Sequence, residues 1–342
     1  MAVENPFGTR LPLIGAPMAG GPTTPALVRA AHDAGGIGFL AAGYQTPESL
    51  AAQLTELDDI AFGVNLFRSG ASGITAEDYR RYADELAPEA ERLGVRLDRE
   101  TIIDDDDHWA DKISLLVRRP VPYVSVTFGL PPAEDVAALQ RVGTSVLITV
   151  TTVEEARAAA AIGADILIAQ GSAAGGHSAT HDPRRPITDT PTADLTAAVI
   201  AATGLPTVAT GGVDGPAAVR SLLDAGAVAV AIGTLLLRTD ESGTAALHRR
   251  ALADPAFTET VITHAFTGRP ARALRNVFID AHQSTAPYGY PALHHLTREF
   301  RKAAAAAGDP QTLHLWAGTG YRNAPTGPAA AVFQHLSAAP NR

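Results

Sequence analysis

The residues best suited to chemistry lie in short glycine-rich segments rather than on helix faces. The richest is Gln170-Gly171-Ser172-Ala173-Ala174-Gly175-Gly176-His177. Gln170 carries a donor and an acceptor on one side chain, the pair that reads the edge of a planar heterocycle, and Asn65 offers the same pair. Gly175 and Gly176 let the backbone pass close to a ring face. His177 follows at once, held by glycines rather than by a helix, and is expected to stand exposed on a flexible loop above that ring. An unperturbed imidazole titrates near about 6.5, which suits a general base close to neutrality. His32, His248 and His335 lack such a setting and read as structural. Two more segments, Thr210-Gly211-Gly212 and Ala231-Ile232-Gly233-Thr234, each follow an apolar run. Glycines there bring backbone N–H groups up to a phosphate, and the Thr234 hydroxyl adds a donor. The phosphate belongs either to a substrate or to a cofactor. Asp104–Asp107 sets four carboxylates side by side. Adjacent residues do not converge on one ion without a tight loop, so this run is expected to be a solvated helix N-terminus and no metal is expected.

These segments need a scaffold that presents strand ends to one place. Eight short apolar runs read as strands: Leu11–Ala16, Ile37–Ala41, Phe62–Leu66, Tyr123–Thr127, Ser145–Val150, Ile166–Ala169, Thr207–Ala209 and Ala227–Ile232. They show little alternation, as expected of parallel strands covered on both faces. Helical stretches between them begin near Pro, Thr or Asp and several end at glycine. The pattern is an α/β chain forming a (β/α)₈ barrel, whose reacting groups sit at the C-terminal ends of the strands. The barrel is expected over residues 1–237, with a helical insertion at about 70–104, and a mostly helical cap over 238–342. The chain has 342 residues, no cysteine and a net charge of −9, which excludes thiolate chemistry and argues against nucleic acid as a partner. Its longest apolar run, Ala225–Leu237, is too short to span a bilayer, and Met1–Arg10 has no signal-like pattern. No membrane association is expected, and the expected location is the cytoplasm.

Taken together, the motifs resemble nitronate monooxygenase, an FMN-dependent barrel family, and its class I enzymes most. The resemblance rests on Ala16-Pro17-Met18-Ala19-Gly20-Gly21, the Gln170 to His177 segment, Gly211-Gly212 and Gly233-Thr234. Phe39-Leu40-Ala41-Ala42-Gly43-Tyr44, Gly63-Val64-Asn65-Leu66-Phe67, Val124–Gly129 and Leu315-Trp316-Ala317-Gly318 extend it over nearly the whole chain. It implies FMN held by Pro17, Met18, Asn65, Gln170, Gly175, Gly176, Gly211, Gly212 and Ala231-Ile232-Gly233-Thr234, with Met18 beside the isoalloxazine. It places His177 at the family's catalytic histidine and Tyr290 in the substrate pocket. The implied reaction takes a nitronate such as propionate 3-nitronate, or a neutral nitroalkane with His177 as base, and O₂ to a carbonyl compound and nitrite. NAD(P)H and metals are not required, and a monomer or homodimer is expected. The sequence departs from the family at Ala173-Ala174, where Glu-Ala is common, and at Ser178, where Arg is frequent. Two rival functions remain: an FMN-dependent NAD(P)H enoyl or quinone reductase of the same superfamily, and a barrel that binds a phosphate ligand without redox turnover.

Overall fold

A computed structural model describes residues 5–338; Met1–Glu4, within the segment inspected for a signal, lie outside that range. The strands are β1 (Leu13–Gly15), β2 (Ile37–Ala41), β3 (Gly63–Phe67), β4 (Tyr123–Thr127), β5 (Ser145–Val150), β6 (Ile166–Gln170), β7 (Gly176–His177), β8 (Thr207–Thr210), β9 (Ala229–Ile232), β10 (Thr260–Thr263) and β11 (Ala271–Leu274). Eight of them, all but β7, β10 and β11, close a parallel barrel in the order β1-β2-β3-β4-β5-β6-β8-β9. Closure is made by β1 against β9, with Ile14 opposite Ala231.

The helices are α1 (Pro25–Asp33), α2 (Pro47–Thr55), α3 (Ala76–Arg92), α4 (Trp109–Arg118), α5 (Ala133–Arg141), α6 (Val153–Ala161), α7 (Thr192–Thr203), α8 (Pro216–Asp224), α9 (Ala246–Ala251), α10 (Val277–His282), α11 (Ala292–Ala307) and α12 (Ala329–Ser337). Local chemistry sets many of their starts. Thr24, Thr46, Thr75 and Thr152 each accept a first-turn N–H, and Pro25 and Pro47 supply a preset φ at the first turn. Each strand turns alternate side chains to two apolar environments. Ile14, Phe39, Leu147, Ile166, Val208 and Ala231 fill the barrel interior, while Leu40, Val64, Ile148 and Leu167 pack outward against helices.

Residue 237 is not a packing boundary. From beyond it, α12 returns to the helix ring and packs between α1 and α8, placing Phe333 in the core formed by Leu13, Leu27 and Val230. Of the preceding part, Phe278 of α10 and Phe300 of α11 share a core with Tyr82 and Leu86 of α3, in the earlier insertion. Beyond residue 237 two strands, β10 and β11, form an antiparallel sheet with β7 from the barrel segment, which the mostly helical expectation missed. The Asp104–Asp107 run is exposed only in part. Asp107 is 9% exposed and sits 2.8 Å from Lys112, so it is an internal ion-pair member and not a solvated helix start. Among the described residues no helix is long and apolar enough to cross a membrane, and no group of side chains could hold a metal ion.

Candidate active site

The C-terminal ends of the barrel strands open into a cavity of about 910 Å³ roofed by α11 and the segment around Trp316. Pro17, Met18, Asn65, Gln170, Gly175, Gly176, His177, Gly211, Gly212, Ala231, Gly233, Thr234 and Tyr290 all line it. Ile232 does not. It follows Ala231 on β9, so strand alternation turns its side chain outward, where it is 1% exposed among helix residues.

Asn65, on β3, is 4% exposed. Its Oδ1 accepts from Ser125 Oγ at 2.8 Å and Thr127 Oγ1 at 2.9 Å, leaving the amide nitrogen without an acceptor among the described residues. Gln170 differs. Its Oε1 accepts the Ala179 N–H at 2.7 Å and its Nε2 donates to the His177 carbonyl at 3.2 Å. Both halves of the amide brace the loop, so Gln170 lines the cavity without the free donor–acceptor pair expected from the sequence.

His177 is not on a flexible loop. It pairs with Ala271 as part of β7, and the next residue, Ser178, donates its N–H to the Pro270 carbonyl at 2.8 Å. Nε2 lies 2.8 Å from Thr267 Oγ1, whose hydroxyl in turn has the Arg269 carbonyl at 3.4 Å. That relay favours the proton on Nε2 and leaves Nδ1, which has no partner among the described residues, as a lone pair. Phe128, Tyr290 and Trp316 surround the ring at centroid distances of 5.7, 5.7 and 5.1 Å. Burial, with the Arg269 and Arg301 charges adding to it, pushes the imidazole pKa down to about 3. Both effects favour the neutral imidazole over its charged form, against the titration near neutrality that the sequence suggests.

The two guanidiniums carry no motif and went unread in the sequence. Arg269 is 4% exposed; it donates to the Ser178 and Thr180 carbonyls and lies 4.1 Å over the Phe128 ring. Arg301, 6% exposed, donates to the His294 carbonyl at 2.9 Å and to His314 Nε2 at 3.1 Å. Neither has a carboxylate partner among the described residues, and burial lowers each pKa to about 10. Desolvating one charge costs several kcal/mol, more than a cation–π contact of about 2 kcal/mol returns. Arg301 lines the cavity, whereas Arg269 is not among its lining residues and packs on the Phe128 ring, which does line it. One signal was legible: His294, Arg298 and Arg301 recur at helical spacing on the cavity side of α11.

At the opposite wall, Gly211 and Gly212 have φ of 111° and 78°, conformations open to glycine. The N–H groups of Gly211, Gly212, Gly233 and Thr234 find no acceptor among the described residues. A Cβ on Gly233 would meet nothing closer than 3.6 Å, ordinary contact with Met18 and Ala16, so the position tolerates a methyl group. Gly175 has no such room, since a Cβ there would come within 2.4 Å of the Gly318 nitrogen. Its role is close backbone packing beneath the Trp316 segment, where Gly318 donates its N–H to Thr234 Oγ1 at 2.9 Å.

Comparison with known proteins agrees with this geometry. Described as a probable nitronate monooxygenase, a protein of Staphylococcus saprophyticus is 35% identical over 98% of this chain and 94% of its own. A Staphylococcus aureus protein of the same description is 32% identical over 95% and 93%. A solved nitroalkane oxidase from Streptomyces ansochromogenes superposes with a TM-score of 0.91 at 44% identity, covering 96% of this chain and 95% of that one. FabK from Thermotoga maritima, at 23% identity, 96% and 92% coverage and a TM-score of 0.73, shares the fold alone. The family model for nitronate monooxygenase matches residues 6–338. With the family model matched from residue 6 to 338 and relatives covering nearly the whole chain, the chain belongs to the nitronate monooxygenase family and is a flavin-dependent oxidoreductase.

Proposed function

We propose that this enzyme oxidises nitronates, and nitroalkanes after deprotonation, with O₂ to carbonyl compounds and nitrite, using FMN. The observation that carries the reading is the pair of buried guanidiniums without carboxylates beside a neutral imidazole. Such a site favours a planar anion and disfavours a cation, and the nitroalkane oxidase likeness points to the same compound class.

The residues present fit FMN. The unpaired N–H groups of Gly211, Gly212, Gly233 and Thr234 suit its phosphate, as on the last two strands of other barrels. Asn65 would offer its amide proton to the ring, with Pro17 and Met18 along the ring and Gly176 and Gln170 shaping the loop beside it. When bound, FMN supplies electron exchange between substrate and O₂.

The chain's own groups bind and move a proton. A nitroalkane presents an α-proton to His177 Nδ1; the C–H bond breaks, its electron pair enters the C=N bond, and the negative charge spreads onto the nitro oxygens. Arg269 and Arg301 stabilise that charge, and Thr267 holds the imidazole in the tautomer that leaves Nδ1 free. A preformed nitronate needs only the positive field. Nitrite release and O₂ uptake when the yellow protein is mixed with ethyl nitronate test this. Neither product nor uptake above the rate without protein would refute it.

A further inference from the structure

Four non-glycine residues have left-handed backbone, Tyr44 (φ 66°), Asp107 (58°), His108 (56°) and Phe128 (86°), and all line the cavity. Strain of this kind persists only where surrounding contacts impose it. For Tyr44 those contacts are specific. Its N–H donates to Asp107 Oδ1 at 2.9 Å. Lys112, 1% exposed, donates to the Ala42 carbonyl at 2.9 Å, and its Nζ lies 2.8 Å from Asp107 Oδ2. One ion pair, from Asp107 just before α4 and Lys112 within it, therefore grips both ends of the Ala42-Gly43-Tyr44 turn after β2. Burial pushes the Asp107 carboxyl up and the Lys112 ammonium down from their ordinary values. A pair so desolvated is a poor stabiliser; what it fixes is geometry.

The clamp presents a phenol. The Tyr44 ring stacks on His294 at 4.2 Å with planes 1° apart and meets Phe67 edge-on at 5.4 Å. Its oxygen accepts from Tyr290 Oη at 3.4 Å, so its own proton has no acceptor among the described residues. Tyr44 is 38% exposed, and a phenol, titrating near about 10 when unperturbed, is a neutral donor at working pH. No step assigned to His177, Arg269 or Arg301 uses that proton.

We propose that Tyr44 donates a hydrogen bond to the bound anion, and that Asp107 and Lys112 are positioning residues that hold it there. The identity of the anion as a nitronate rests on the function proposed above; the clamp does not. The test compares FMN-loaded wild type, Tyr44→Phe, Asp107→Asn, Asp107→Ala, Tyr44→Gly and the Asp107→Ala/Tyr44→Gly double variant. Two readouts are taken: kcat/KM for ethyl nitronate, and the Kd of acetate, a planar two-oxygen anion, by calorimetry. Tyr44→Phe keeps the stacking and loses the proton, so both readouts should worsen about tenfold. Asp107→Ala should cost about the same in the Tyr44 background and under about twofold in the Tyr44→Gly background, while Asp107→Asn, which retains an acceptor, recovers most of the loss. Unchanged values for Tyr44→Phe overturn the donor role, and equal losses in both backgrounds overturn the clamp. Should Asp107→Ala not fold, the same comparison with Asp107→Asn and Tyr44→Phe still decides the donor role. Wild type that binds acetate but oxidises no nitronate sinks the nitronate reading and leaves the clamp to be judged by acetate alone.

Discussion

His177 holds its base form across the working range of pH, because enclosure and two neighbouring guanidiniums push its conjugate acid down to about 3. The pH profile of kcat/KM on a preformed nitronate should accordingly lack a His177 inflection between about pH 6 and 7, the range where an unperturbed imidazole titrates. An inflection there that disappears in His177→Asn would contradict this. The same variant should lower activity on a neutral nitroalkane by about 10²–10⁴-fold and on the matching nitronate far less, since only the first needs a proton removed. Equal losses on both would assign His177 to charge stabilisation instead. Thr267→Val deletes the hydroxyl that holds Nε2 and should cost about tenfold or more on the nitroalkane, with FMN content unchanged, by freeing the wrong tautomer. At this scale the sequence was informative where glycines isolate a side chain, as they do His177. Arg301 left one faint signal, its helical spacing with His294 and Arg298, whereas Arg269 left none: nothing in its neighbours foretells burial, and it is one of 27 basic residues until the chain folds over it.

The short strand β7 explains why a loop that looks flexible is ordered. Its partner β11 lies beyond residue 260 in the chain, and Gln170 ties the loop back to β6. A two-residue strand whose partner is about a hundred residues away leaves no local periodicity, so this element could not be read from sequence. The barrel strands could, because unbroken apolar runs between helix caps are the pattern of doubly covered parallel strands. The strand-end glycines after β8 and β9 give a test at the level of elements. Gly233 has φ of −113° and room for a Cβ, so Gly233→Ala should fold normally. If the phosphate of FMN approaches that N–H, the methyl group should raise the Kd for FMN by roughly tenfold or more, about 1.4 kcal/mol, measured by fluorescence titration of flavin-free protein. Unaltered affinity would move the phosphate elsewhere.

The whole molecule joins two distant stretches into one lid over the cavity, α3 with α10 and α11, while α12 packs in the helix ring between α1 and α8. Burying the site under that lid leaves several histidines neutral in the folded state. Burial lowers His248 to about 4 and His177 to about 3, and holds His294 and His314 well below the ordinary value. Unfolded, these imidazoles bind protons below about pH 6.5, so stability should be full above that value and decline as pH falls toward the folded pKa values. His282 opposes the trend: burial pulls it down, but Glu89 and Glu85 raise it overall, so its contribution is present at low pH and lost as pH rises. With His264 also lowered by burial, five groups against one predict a Tm that drops between about pH 6.5 and 5, above the range where most carboxylates titrate. A flat Tm across that window would mean the lid opens readily enough for these groups to titrate normally. The central claim, that the reductant is an anion drawn into a positively charged, flavin-bearing site, is tested most directly by anaerobic mixing. FMN-loaded protein mixed with ethyl nitronate should lose its oxidised-flavin absorbance and should leave it intact with NADPH. Rapid bleaching by NADPH and none by the nitronate would contradict the account and make the protein a reductase.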